Sequence, residues 1–88
     1  MGASNAAAHD LLVELLDPQP GERFLDVGTG AGGLAARAAA RGASVVGIDV
    51  AEEAVEQART AAPGAEFAVA DAQALPFEDA SFDVVASA

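Results

Sequence analysis

The spacing of apolar residues along the chain switches between helical and extended several times. Ala8, Leu11, Leu12, Leu15 and Leu16 recur at intervals of three and four, which predicts a helix over Ala6–Leu16 with these residues on its buried face. Ser4 or Asn5 is placed to cap it. The run Asp17-Pro18-Gln19-Pro20-Gly21 stops it, because proline lacks the amide donor and restricts its predecessor. Arg23–Val27 then reads as a short strand, and about Ala31–Arg41 as a helix with Leu34, Ala35 and Ala38 inward and Gly42 at its C-terminal cap. Ser44–Asp49 is apolar nearly throughout, as strands covered on both faces are. A further helix is expected over about Ala51–Ala61, with Ala51, Ala54, Val55 and Ala58 inward and Glu52, Glu53 and Glu56 outward at its positive end. Pro63-Gly64 is a turn, and Glu66–Ala70 is a third strand ending at Asp71. Residues 72–81 read as a loop or a very short helix, and Phe82–Ala86 as a fourth strand.

Strand and helix alternate with connections of the length that right-handed crossovers require, so the chain is α/β. The expected architecture is a Rossmann-like parallel sheet, strand order 3-2-1-4, with helices on both faces. Residues 1–20 form a helix and linker, and residues 21–88 form the βαβαββ core. Ligands of open parallel sheets bind beyond the carboxyl ends of the strands, where strand order reverses. In this order that point lies between the first and fourth strands.

Composition narrows the function classes. The 88 residues carry 4 Lys or Arg and 14 Asp or Glu, a net charge of 4 − 14 = −10. Such a charge repels a phosphate backbone, which argues against nucleic-acid binding. With no cysteine and one histidine, neither a disulfide nor a thiolate metal site is expected, and no metal is assigned. Apolar runs are broken by Arg, Asp or Gly well before the ~20 residues of a membrane span, and Met1–Ala8 carries no basic residue of the kind that opens a signal peptide. A soluble cytoplasmic domain is therefore expected. His9, beside Asp10, reads as a surface or interface side chain.

Candidate chemistry collects at the strand ends. Gly28-Thr29-Gly30-Ala31-Gly32-Gly33 lies between a strand and a helix. Glycines there permit positive φ and close approach of a ligand, with amides at the helix start turned to the ligand side. The string alone fits several nucleotide-binding loops, the dinucleotide fingerprint included. Asp26, two residues earlier, can accept hydrogen bonds from a ligand ammonium or from the loop. Asp49, 21 positions after Gly28, stands where an acid can take both hydroxyls of an adenosine ribose, or can instead cap the following helix. Asp71 and Ala72 can grip an adenine edge. Three carboxylates favour a cationic ligand over a pyrophosphate.

Leu25-Asp26-Val27-Gly28-Thr29-Gly30-Ala31-Gly32 resembles the first motif of the class I S-adenosylmethionine-dependent methyltransferases. Gly47-Ile48-Asp49 resembles their acidic ribose site, and Asp71-Ala72, Leu75-Pro76-Phe77 and Phe82-Asp83-Val84-Val85 resemble the motifs that follow. The resemblance spans nearly the whole chain and points to the subgroup that methylates small molecules such as quinone precursors and sterols. It implies that Asp26, Gly28, Thr29 and Gly30 hold the methionine moiety and that Asp49 takes the ribose. It also implies that Val50 lies against the adenine, that Asp71 and Ala72 read its edge, and that Ser87 sits where cofactor and acceptor sites meet. The implied cofactor is S-adenosyl-L-methionine and the implied reaction is SN2 transfer of a sulfonium methyl to a nucleophile; no catalytic residue is assigned. Ala51 departs from the Ser or Thr common in the family, losing a helix cap worth ~1 kcal/mol. The family fold has seven strands, so a truncated, cofactor-binding half is expected, incomplete for turnover by itself. Its fourth strand would be an open edge able to pair with a second copy or a complementing chain. The alternatives are a non-catalytic adenosine-cofactor-binding or structural domain and an NAD-dependent oxidoreductase fragment.

Overall fold

The computed structural model describes residues 5–71 and 81–87. Its elements run α1 (Asn5–Leu16), β1 (Arg23–Val27), α2 (Gly33–Ala40), β2 (Ser44–Asp49), α3 (Glu52–Ala61), β3 (Glu66–Val69) and β4 (Val84–Ser87). The four strands are all parallel, in the order β3-β2-β1-β4. This is the Rossmann-like sheet the strand–helix alternation predicts. The expected short helix or loop over residues 72–81 lies, except for Ser81, outside the described residues.

Register sorts the strand residues onto two faces. Phe24 pairs with Val45 and Val84, Asp26 with Gly47 and Ala86, and Gly47 with Phe67. Phe24, Val45, Phe67 and Ala86 therefore share a face. They join one buried cluster with Val13 of α1, Leu34, Ala35 and Ala38 of α2, and Val55 and Ala58 of α3. The three described helices thus build a single layer against this face. On the other face Leu25 and Ile48 are buried while Val85 is 59% exposed. Alanine lets this core close, because short side chains bring α2 and α3 against the sheet at close range. Gly32, which enters α2 at φ +87, would place a Cβ 3.1 Å from Ala58.

The inward face of α1 differs from the expected one. Val13 is buried and His9 and Leu16 are half-buried, whereas Leu11 and Leu15 are exposed at 58% and 73%. Two stripes compete on this helix, and His9-Val13-Leu16 also follows the i, i+4, i+7 rule. Ion pairs Asp10–Arg37 and Asp17–Arg41 tie α1 to α2 on the side of that stripe. Helix α2 starts at Gly33, two residues later than expected, since Gly30 and Gly32 both take positive φ. It ends in two bonds that satisfy its last carbonyls, from the Gly42 amide to Ala39 O and from the Ala43 amide to Ala38 O. Ala51 caps α3 without a side-chain bond, as its residue type implies.

Candidate functional site

The ends of β1 and β2 lie side by side, so the turn after β1 and the turn after β2 meet. The Gly28 and Thr29 amides both donate to Ile48 O, at 2.9 and 2.8 Å. Asp49 joins the two turns from the other direction. Its Oδ2 accepts from the Gly30 amide at 3.0 Å and its Oδ1 from the Ala51 amide at 2.9 Å. The Gly32 amide turns back to Thr29 O at 3.0 Å. The loop amides of Gly28, Thr29, Gly30 and Gly32 are therefore committed to the protein itself. The loop is a cradle whose shape these bonds set in advance.

Asp26 lies beneath the cradle, 2% exposed. The Thr29 hydroxyl donates to its Oδ2 at 2.8 Å. Burial pushes the Asp26 carboxyl above the usual range; the Thr29 bond and the nearby His9 oppose that, and Asp49 adds to it. Thr29 in turn rests on β2. A Cβ on Gly47 would stand 2.7 Å from Thr29 Oγ1 and 2.6 Å from the Phe67 ring, so a side chain at position 47 would drive the loop and β3 apart.

Beyond the strand ends opens a cleft of about 300 Å³ lined by Val27, Gly28, Ile48, Asp49, Val50, Ala70 and Asp71. Four of the expected site residues, Gly28, Asp49, Val50 and Asp71, meet there. Thr29 and Asp26, bonded to each other, are not among the lining residues, and the Gly30 amide donates to Asp49. The cleft lies on the β1–β2–β3 side of the sheet. Ser87 pairs opposite Val27 on the β4 side and is not among the lining residues. Ala72 lies outside the described residues. His9, expected from the sequence as a surface or interface side chain, sits half-buried between α1 and α2. The His9 ring edge covers Gly33, whose Cβ would fall 2.5 Å from Nδ1. Reading His9-Val13-Leu16 as the inward stripe of α1 would have found it.

The model of a family described as a methyltransferase domain matches residues 24–88. The chain belongs to the methyltransferase domain family. It is 43% identical over 83 residues to 27-O-demethylrifamycin SV methyltransferase of Amycolatopsis mediterranei, covering 86% of this chain and 30% of that protein. It is 46% identical over 71 residues to demethylmenaquinone methyltransferase of Clavibacter sepedonicus, covering 77% of this chain and 29% of that protein. Among solved structures, a TehB-like SAM-dependent methyltransferase from Corynebacterium glutamicum superposes with a TM-score of 0.78 at 26% identity, over 97% of this chain and 50% of that one. This methyltransferase domain thus spans about 30% of the length of those two curated relatives. The cofactor of such domains is S-adenosylmethionine, and the cleft suits its adenosine end. The walls are mostly apolar, and Gly28 has nothing within 4 Å of the place a Cβ would take. Each Asp49 oxygen accepts a backbone bond, and a carboxylate oxygen has capacity for a second.

Proposed function

We propose that this chain supplies the cofactor-binding half of a methyltransferase that acts on a small-molecule acceptor. The observation that carries this reading is Asp49, a carboxylate fixed by both crossover turns on the edge of an apolar cleft at the strand ends. When bound, S-adenosylmethionine supplies an electrophilic methyl on a sulfonium. In this reading Asp49 accepts from the two ribose hydroxyls, with its geometry already set by Gly30 and Ala51. Val50, Ile48 and Ala70 exclude water from the adenine, and Asp71, with Ala72 beyond it, meets the adenine edge. Asp26, Gly28, Thr29 and Gly30 shape and charge the methionine end, where the Asp26 carboxylate attracts a cation. Ser87 lies at the same sheet edge across β1, on the side where an acceptor would enter.

Two further facts support the small-molecule part. The names of the two curated relatives specify demethylrifamycin SV and demethylmenaquinone, both small molecules. The net charge of −10 is unsuited to a nucleic-acid acceptor. Among the described residues no helix is long and apolar enough to cross a membrane. In the described sheet β4 is an edge strand, where another strand, from the same polypeptide or a second copy, would continue the sheet.

The test is a calorimetric titration with S-adenosylhomocysteine and, separately, NAD. The expected result is saturable binding of the first and none of the second. Asp49→Ala should weaken the first by about tenfold or more, as expected for loss of a charged acceptor. Binding of NAD in preference to S-adenosylhomocysteine would sink the reading.

A further inference from the structure

We infer that Arg59 closes the β3 edge of the sheet to strand addition, so that a second copy of this chain is refused at β3. This closure does not depend on what the cleft binds.

The backbone bonds fix which groups of β3 face outward. In the described sheet β3 pairs with β2 alone, and the Ala70 amide just past its end donates to Asp49 O at 3.0 Å. Ala70 therefore faces β2. Along a strand, the amide and carbonyl of one residue point to the same side, and the next residue points to the other. Ala68 shares the β2 side with Ala70, so Phe67 and Val69 turn their amides and carbonyls to the edge. Val69 is 54% exposed. Two such outward pairs of donor and acceptor are a template for an added strand.

Arg59 occupies one of these places. It stands in the last turn of α3, where its Nη1 donates to Glu56 Oε1 at 2.8 Å and its Nη2 to Phe67 O at 3.2 Å. The planar guanidinium forks between helix and strand, and Glu56 holds it in place. A strand arriving at β3 would have to break the charge-assisted bond to Phe67 O and set its own amide beside a cation. Charged side chains guard sheet edges in this way. The β4 edge differs. The Asp83 amide donates to Arg23 O, so by the same alternation Val84 and Ala86 face outward. The Arg23 guanidinium at the start of that strand pairs with the Asp83 carboxylate, and among the described residues no side chain donates to the Val84 or Ala86 carbonyl.

The test is sedimentation velocity on the chain and on Arg59→Ala and Arg59→Lys, at high ionic strength to screen the net charge of −10, with amide hydrogen exchange followed in ¹H–¹⁵N spectra. In the unaltered chain the Phe67 and Val69 amides should exchange fast and those of Ala68 and Ala70 slowly. Arg59→Ala should tighten self-association about tenfold, the effect of one backbone acceptor set free, and should slow exchange at Phe67 and Val69. The Arg59 side chain is 55% exposed, so its loss should leave the fold in place. Arg59→Lys has a compact ammonium that cannot fork between Glu56 and Phe67 O; it should shift association the same way by less, and it carries the test if the alanine variant does not fold. Adding Val69→Pro to Arg59→Ala removes an outward amide without breaking a bond to β2, and should return association to that of the unaltered chain. Unchanged association in both Arg59 variants would overturn the inference. So would slow exchange at Phe67 and Val69 in the unaltered chain, or tighter association that slows Val84 and Ala86 instead or survives Val69→Pro.

Discussion

The β1–β2 seam and the β4 edge are built from the same kind of parallel pairing but are held in different ways. At the seam, Phe24, Val45 and Phe67 face three helices, and the turns above them are cross-linked through Ile48 O, Asp49 and Thr29. At the edge, β4 gives one residue, Ala86, to the buried set, while Val85 is 59% exposed. Its start is fastened by Arg23 and Asp83: the Asp83 amide donates to Arg23 O at 2.8 Å, Asp83 Oδ2 accepts from the Arg23 amide at 2.9 Å, and the side chains form an exposed ion pair. Burial and interlocked polar bonds make the seam rigid before any ligand arrives. The edge depends on backbone pairing and a solvent-screened pair, the weaker arrangement. The cleft lies on the rigid side, where a site can be held in place without moving parts.

The largest contrast is in packing. Phe24→Ala removes a ring with 0% exposure and should cost about 3–5 kcal/mol, enough to abolish a marginal fold, whereas Val85→Ala should stay within about 0.5 kcal/mol. Urea denaturation of both variants checks this, and equal costs would break the comparison. Gly47→Ala comes next. Overpacking against Phe67 and Thr29 should cost about 1–3 kcal/mol and perturb the amides of residues 28–30 in an NMR spectrum, while those of 84–87 stay in place.

Asp26→Asn should have a smaller effect and the opposite sign. A carboxyl whose folded pKa is raised binds its proton more tightly in the native state. Its contribution is therefore fully present below the ordinary carboxyl value and is lost as pH rises through the folded value. The asparagine variant should melt higher than the parent at neutral pH and lose that decline above about pH 4, while binding S-adenosylhomocysteine more weakly. Melting curves across pH 3–8 check it; a variant less stable at every pH would show that the Asp26 charge supports the fold. Asp83→Asn should give the smallest change. Its bonds from Arg23 hold that carboxyl below the usual range, so its contribution is present above the ordinary value and fades as pH falls through the lowered one. Because the pair is exposed, the difference between variant and parent should shrink further in high salt.

Much of this could be read from the linear chain. Strand β1 and strand β2 stand at the residues their apolar runs indicate, because a run covered by side-chain packing must be apolar whatever lies above it. The position of Asp49 beside the glycine loop followed from the βαβ unit, which returns each strand's end to the same sheet edge. Helix α1 was legible as a helix but not in its orientation. Two apolar stripes of similar strength share it, and only docking on α2, with Asp10 on Arg37, selects Val13 over Leu15. The same choice brought His9 to Gly33; helical spacing allows that stripe but does not select it over the other.

The division between sequence and tertiary structure is therefore physical. Local periodicity and proline and glycine punctuation determined the elements and the identity of the acidic strand ends, since each depends on residues close in sequence; the sheet order, which sets β4 beside β1, was read from strand–helix alternation and the crossover rule. Only the assembled fold decided how those acids are used. Asp49 became a bridge between two turns, and Asp26 a buried carboxyl under Thr29. A hydrogen bond depends on distances across the sheet, and those exist only once the helices have packed.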